Sequence, residues 1–264
     1  MKIINNSTLL RSETCAKSVG FIDAHCHLAD ERIASNLQYE IEEANKVGIT
    51  HFFSSALCQK EFEWHQNNAF PGMKWCAGIH PYYDESAEND FKTLIKLCDE
   101  KQIIAIGEIG LDKRKNNFEW QKKILLQQLD LARNYDLPVV FHNVRQYYEM
   151  HKILKKNFPK IRGIQHSFKG SQEIFEVYKN YDIAFSVCSK LPKDGVIRSI
   201  IKHGFYLFET DAPYQKPPHS KEKYNHLKNL LWTVEKISKI TRVDITELKE
   251  IQYLSYQNIF HEDL

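Results

Sequence analysis

Short apolar runs recur along this 264-residue chain, and most are followed by a longer amphipathic stretch. The runs are Gly20–His25, Thr50–Ser54, Trp75–His80, Ile103–Glu108, Pro138–His142, Gly163–His166, Ile183–Val187 and Phe205–Thr210. Runs of this length, bounded by polar and turn-forming residues, read as buried strands. The stretches Leu37–Val47, Glu88–Lys101, Phe118–Tyr135, Tyr147–Asn157, Gln172–Asn180 and Tyr224–Ile240 carry apolar residues at helical spacing. In the third, Ile124, Leu125, Leu129 and Ala132 fall on one face. Eight strands alternating with helices, with no Gly/Ser-rich linker, predict an α/β fold: a TIM (β/α)8 barrel forming a single domain over residues 21–264. Residues 1–20 are polar and read as an N-terminal extension. A last segment, Asp244–Phe260, has Asp244 as its N-cap and predicts an extra C-terminal helix packed outside the closed barrel.

Composition narrows the setting. A hydrophobic fraction of 42% and a charged fraction of 27% are ordinary for a globular chain. No run of about 18 apolar residues is present to span a membrane, and residues 1–20 lack the apolar core of a signal peptide. Six cysteines are scattered without a CxxC pair, which implies reduced thiols and a cytoplasmic setting. The net charge of +2 gives no global basic footprint. An anionic substrate would have to be drawn by a local patch.

In such a barrel the loops after the strands build the active site, so polar residues at the strand ends are the candidates for chemistry. Those ends supply His25, His27, His80, Glu108, His142, His166 and Asp211. Imidazoles and carboxylates converging on one rim form a donor set for a divalent metal. In His25-Cys26-His27 the two imidazoles are two residues apart, which in a strand directs both to one face. Asp23 shares their parity and would support them from deeper in the barrel. Taken singly, His142 reads equally as a hydrogen-bonded interior histidine, His166 as a loop cap, and Asp211 before Ala212-Pro213 as an Asx-turn. Glu108 resists such a reading, because it ends an apolar run and a buried carboxylate without a cation is disfavoured.

Several short stretches in order carry a resemblance. They are Phe21-Ile-Asp-Ala-His-Cys-His-Leu28, Gly78-Ile-His-Pro81, Ile106-Gly-Glu-Ile-Gly-Leu-Asp112, Leu137-Pro-Val-Val-Phe-His142, Gly163-Ile-Gln-His-Ser-Phe168 and Glu209-Thr-Asp-Ala-Pro-Tyr214. Together they resemble the TatD family of metal-dependent deoxyribonucleases, among the amidohydrolase-like barrels. The resemblance implies two divalent metal ions, Mg, Mn or Zn. His25, His27 and Asp211 would hold one, His142 and His166 the other, and Glu108 would bridge them. Two ions about 3.5–4 Å apart hold the attacking water and the phosphate oxygens together. Asp211 is then the general base, and His80 contacts the scissile phosphate, so Asp211, Glu108 and His80 form the implied catalytic set.

Outer positions depart from the family pattern. His142-Asn143-Val144-Arg145 has its arginine displaced by one, and Gly110-Leu111-Asp112 is followed by Lys-Arg-Lys instead of aromatics. Lys223-Tyr224-Asn225-His226 stands where the family has Arg-Asn-Glu-Pro.

Cations follow several strands: Lys113, Arg114 and Lys115, then Arg145, Lys169, Lys190, Lys193, Lys216, Lys221 and Lys223. They read either as a phosphate-binding rim or as ordinary exposed loops. Tyr82, Tyr83 and Tyr214 read either as base-stacking groups or as surface aromatics. The expected substrate contacts are His80, Lys113, Arg114, Arg145, Lys169 and Tyr214. The resemblance implies a 3′-5′ exonuclease acting on single-stranded or damaged DNA, and a monomer is expected. The alternative is a hydrolase of a small phosphoester, amide or lactone. A third possibility is a barrel that keeps metals only for structure.

Overall fold

A computed structural model of the chain describes residues 20–84 and 88–261. Eight parallel strands are hydrogen-bonded in sequence order. They are β1 (Phe21–Cys26), β2 (Ile49–Ala56), β3 (Met73–Ala77), β4 (Ile106–Asp112), β5 (Val139–Val144), β6 (Arg162–Gln165), β7 (Asp182–Val187) and β8 (Tyr206–Phe208). At the rim the seam between β8 and β1 is bridged by main-chain bonds, from Asp211 N to His25 O at 2.9 Å and from His27 N to Ala212 O at 2.8 Å. The helices are α1 (Glu31–Ala34), α2 (Leu37–Lys46), α3 (Gln59–Asn67), α4 (Glu88–Asp99), α5 (Phe118–Asn134), α6 (Tyr147–Asn157), α7 (Gln172–Tyr178), α8 (Asp194–His203), α9 (Leu230–Thr241) and α10 (Ile245–Phe260). The result is the expected (β/α)8 barrel. The proposed extension, apart from Gly20, lies outside the described residues.

Strand alternation divides the core into two layers. Ile22, Ala24, Phe53, Cys76, Val140, Ile164, Ala184 and Leu207 fill the barrel interior. Phe21, Phe52, Phe141, Phe185, Tyr206 and Phe208 face outward and pack with the helices.

Helix α10 does more than pack outside. Tyr256, Ile259 and Phe260 join the interior cluster, and Gln252 Nε2 donates to Ile22 O at 2.6 Å. The helix therefore closes the barrel at the end opposite the metal-type residues. Its N-cap is as expected, with Asp244 Oδ1 accepting from Thr246 N at 2.8 Å.

Some boundaries differ from the sequence expectation. β4 begins at Ile106 and continues through Glu108 to Asp112, because its ladder to β5 runs on from Ile109 to Asp112. An apolar run marks burial, and the pairing partner decides where the strand ends. β3 stops at Ala77, and beyond it Gln128 of α5 holds the main chain of Ile79 through both its N–H and its C=O. Three helices, α1, α3 and α8, have no counterpart among the stretches picked out by spacing. α3 buries only Phe62 and His65, too few apolar positions to reveal a face. α8 is strongly amphipathic, burying Val196, Ile197, Ile200 and Ile201, and ends at Gly204 with φ 76°, a left-handed cap suited to glycine.

Candidate metal centre

Two local irregularities aim the site residues. Between Asp23 and Cys26 the register of β1 slips against β2, and β4 slips against β5 between Gly107 and Ile109, around Glu108. Bulges of this kind re-aim a side chain at the rim of a barrel. The β4–β5 contact also constrains position 110. Gly110 has φ 156°, and a Cβ there would stand 1.7 Å from the carbonyl oxygen of His142. Any side chain at 110 would displace the backbone that carries His142.

All six expected ligands come together, each less than a tenth exposed. Glu108 lies at the centre, and its two oxygens face different partners. Oε1 is 3.2 Å from His25 Nε2 and 3.3 Å from His27 Nε2, and Asp211 Oδ1 lies 3.3 Å from the same His27 nitrogen. Oε2 is 3.1 Å from His142 Nδ1, 3.3 Å from His166 Nε2 and 3.8 Å from His80 Nε2. One carboxylate thus serves two donor groups.

A further layer of polar side chains orients these donors. His142 Nε2 lies 2.9 Å from Asp112 Oδ2, so its N–H is directed there and Nδ1 keeps its lone pair for the site. His166 Nδ1 pairs with Glu209 Oε1 at 3.1 Å, leaving Nε2 inward. His25 Nδ1 is 3.2 Å from Ser55 Oγ, which reaches on to Cys76 Sγ at 3.1 Å. Gln215 Nε2 donates to Asp211 Oδ2 at 2.6 Å. Asp23 accepts from Thr210 N at 2.9 Å and Thr210 Oγ1 at 2.5 Å, bracing the strand ahead of Asp211, and burial pushes its carboxyl up to about 7. Asp112, Glu209, Ser55 and Gln215 were not picked out as site residues from the sequence. Glu209 had a usable signal, since it is an acid directly after the apolar run of β8.

The electrostatics favour a cation. Burial alone would raise the pKa of Glu108, but the charges of His166 and His25 and its close contacts with His142 and His25 hold it well below the usual carboxylate range. Burial is likewise outweighed at Asp211, where the hydrogen bond from His27 and the charges of His166 and His25 hold the carboxyl low. For His25, His27, His142 and His166 burial resists a proton, yet the neighbouring carboxylates raise their proton affinity. His80 is the exception, since burial and the adjacent His142 keep it neutral. His25 Nε2 is fully buried and has no hydrogen-bond partner, although Glu108 and Asp211 oxygens stand within 3.7 Å. Donors crowded on one point, with a buried imidazole nitrogen left without a hydrogen bond, are the arrangement a metal ion satisfies. Three groups of side chains lie close enough to hold one: His25–His27–Glu108, His25–His166–Asp211 and His80–Glu108–His142. The donor chemistry, imidazole and carboxylate, fits a divalent cation.

The centre opens into a cavity of about 890 Å³. Of the expected substrate contacts, His80, Arg114, Arg145, Lys169 and Tyr214 line it. Lys113 does not, because it neighbours inward-facing Asp112 and alternation turns it to the other side. Arg114 is committed to Asp112, donating through Nε at 2.9 Å and Nη2 at 2.5 Å. Its guanidinium and Lys115 Nζ both sit over the ring of Tyr82. Tyr214 meets His27 edge-on at 5.3 Å and stacks under the Arg32 guanidinium at 4.7 Å.

A parallel barrel with a His/carboxylate cluster on its C-terminal rim defines the class of metal-dependent hydrolases. Within it, the chain belongs to the TatD related DNase family, whose family model matches residues 22–261. It is an enzyme, a hydrolase acting on ester bonds. An uncharacterised metal-dependent hydrolase of Methanocaldococcus jannaschii is 27% identical over 257 residues, covering 94% of this chain and all of the relative. A 3′-5′ ssDNA/RNA exonuclease TatD of Pantoea vagans is 28% identical, with 74% of this chain and 80% of that protein covered. Among solved structures, the TatD homologue YjjV of Escherichia coli superposes with a TM-score of 0.82 at 23% identity, covering 94% of this chain and 99% of the other. That likeness confirms the barrel.

Proposed function

We propose that the chain is a two-metal deoxyribonuclease that hydrolyses phosphodiester bonds of single-stranded DNA, removing nucleotides from the 3′ end. One observation carries the two-metal reading: the two oxygens of Glu108 address two separate donor groups. His25, His27 and Asp211 would hold one divalent ion, Mg, Mn or Zn, and His142 and His166 the other, with Glu108 shared. When bound, such a pair activates water and neutralises charge developing on the phosphate.

The chain's own residues supply the rest. Asp211 Oδ1 faces His27, while Oδ2 is held by Gln215 Nε2, which fixes the carboxylate as a base at a defined place. His80 accepts from Tyr82 N through Nδ1 at 3.1 Å. In the neutral ring the proton therefore sits on Nε2, which points at the centre and can donate to a phosphate oxygen. Lys169 and Arg145 line the cavity beside it and supply local positive charge that the net balance lacks. The five cysteines among the described residues are free, and among those residues no helix is long and apolar enough to cross a membrane. The free thiols suit a reducing compartment such as the cytoplasm.

The test is cleavage of a 5′-labelled single strand with added Mg or Mn, beside Glu108→Ala. A ladder of shortened products that disappears in the variant and on chelation is expected. An intact strand from folded, metal-loaded protein would rule out the nuclease and turn attention to small phosphoesters, amides or lactones.

A further inference from the structure

Two further cavities continue from the one over the metal centre. One, of about 1110 Å³, crosses the loops after β6 and β7 and shares Lys169 and Lys190 with the central cavity. Two carboxylates, Glu173 and Asp194, stand in its wall among Lys169, Lys190, Lys193 and Lys236. The other, of about 490 Å³, runs over the long loop after β8 and shares Lys190, Tyr214 and Gln215 with the central cavity. Its wall holds Lys190, Lys216 and Lys223, with Arg32 already paired to Asp30, together with Tyr214 and Tyr224, and no carboxylate.

The two continuations are not equivalent for a phosphate chain. Carboxylates in the wall repel phosphates, whereas cations release the counterions of the strand and gain affinity for each phosphate neutralised. Lys190 and Lys223 are exposed and take part in no salt bridge among the described residues. Their charge is available. On the opposite side of the mouth, the Arg114 guanidinium is already paired with Asp112 and packed on Tyr82. The ring of Tyr214 is 46% exposed and stands at the junction of the two cavities. The Arg32 guanidinium covers one face of that ring, so a base, which offers a π-face whatever its identity, would stack on the other.

The loop that forms this wall is anchored from outside the site. Glu40 of α2 is buried and accepts from His226 Nδ1 at 2.6 Å, Leu227 N at 3.3 Å and Tyr224 Oη at 3.4 Å. Asn225 Nδ2 donates to Thr210 O at 2.8 Å. The segment Lys223–His226 is therefore a fixed wall that presents Lys223 and Tyr224.

We infer that the body of the polynucleotide leaves the metal centre over the β8 loop, its backbone lying along Lys190 and Lys223 and a base next to the scissile phosphate stacking on Tyr214. This rests on the nuclease reading and adds a path to it. The chain then binds several nucleotides beyond the one it removes, and its preference for longer strands comes from this channel.

The test compares kcat/KM of the metal-loaded enzyme on single strands of 3 and 12 nucleotides, for wild type and for Lys190→Gln/Lys223→Gln. The wild type is expected to favour the 12-mer by about tenfold, and the double variant to lose nearly all of that preference. The slope of log affinity against log salt for the 12-mer should fall by about 1.4, or 0.7 per lost phosphate contact on a single strand. Lys190→Arg/Lys223→Arg should restore the preference, which a merely structural role of the lysine side chains would not predict. A double variant that keeps the wild-type length ratio and salt slope overturns the path while leaving the nuclease intact. A wild type that cleaves no strand of either length but hydrolyses small phosphoesters overturns the nuclease reading, and the path with it.

Discussion

At the scale of single residues, the site is governed by which nitrogen of each histidine faces inward. Every imidazole of the centre has a rim partner on its far side where one is seen: Ser55 for His25, Asp112 for His142 and Glu209 for His166. Partners of this kind fix the tautomer and raise ligand basicity, and losing one typically costs 10–100-fold in metal affinity or activity. Glu209 is fully buried, so Glu209→Gln keeps the shape and removes the charge. We expect metal affinity to fall by about 10–100-fold in calorimetric titration, with the variant still folded by circular dichroism. Unaltered affinity would remove Glu209 from the support of the centre. The ligands themselves were legible in the sequence, because each is a polar residue at or near the end of an apolar run. Their supporters were not. Ser55 and Gln215 are ordinary residue types whose role exists only once β2 and the β8 loop are placed beside the centre.

At the scale of elements, strands and amphipathic helices were readable from period, and boundaries were not. β4 shows why: Ile103 and Ala105 are buried and Ile104 partly so, as in a strand, yet the ladder starts at Ile106. Helix α3 shows the converse, a helix held by a polar contact instead of an apolar face. Its His65 donates through Nδ1 to Glu61 O at 2.7 Å, its Nε2 lies 2.7 Å from Ser54 Oγ on β2, and its ring stacks on Trp75 of β3 at 5.0 Å. Burial disfavours the charged ring and pushes its pKa down to about 4. The unfolded chain, with an ordinary histidine near 6.5, binds the proton more tightly. Stability from this group is therefore full above about pH 6.5 and is lost as the pH falls toward 4. Linkage puts the loss between pH 7 and 5 at about 2 kcal/mol. Urea unfolding at those two pH values should show His65→Gln with a smaller pH dependence than wild type by about that amount. Equal dependence in both proteins would mean that His65 is not the group that titrates.

On the scale of the whole molecule, the barrel separates stability from chemistry by its two ends. α10 seals one end through Gln252, Tyr256, Ile259 and Phe260, and the rim at the other end is left to the metal-type cluster and its loops. This division was only half visible in the sequence. Its N-cap residue Asp244 announced the helix α10, but its seat beneath the strands depends on a closed sheet whose shape no local pattern encodes. The same holds for the substrate face. Loop cations were countable along the chain, yet only the folded rim distinguishes Arg114, which is paired, from Lys190 and Lys223, which are available.

The central claim is that one carboxylate holds two ions. Its most direct test is calorimetric titration of Mn into the metal-stripped chain, wild type beside Glu108→Ala. Wild type should bind two ions per chain. The variant should lose the shared ligand of both, so that at most one ion binds at the same concentrations and strand cleavage vanishes with it. A single ion per wild-type chain, or two ions bound by Glu108→Ala at undiminished affinity, would contradict the account.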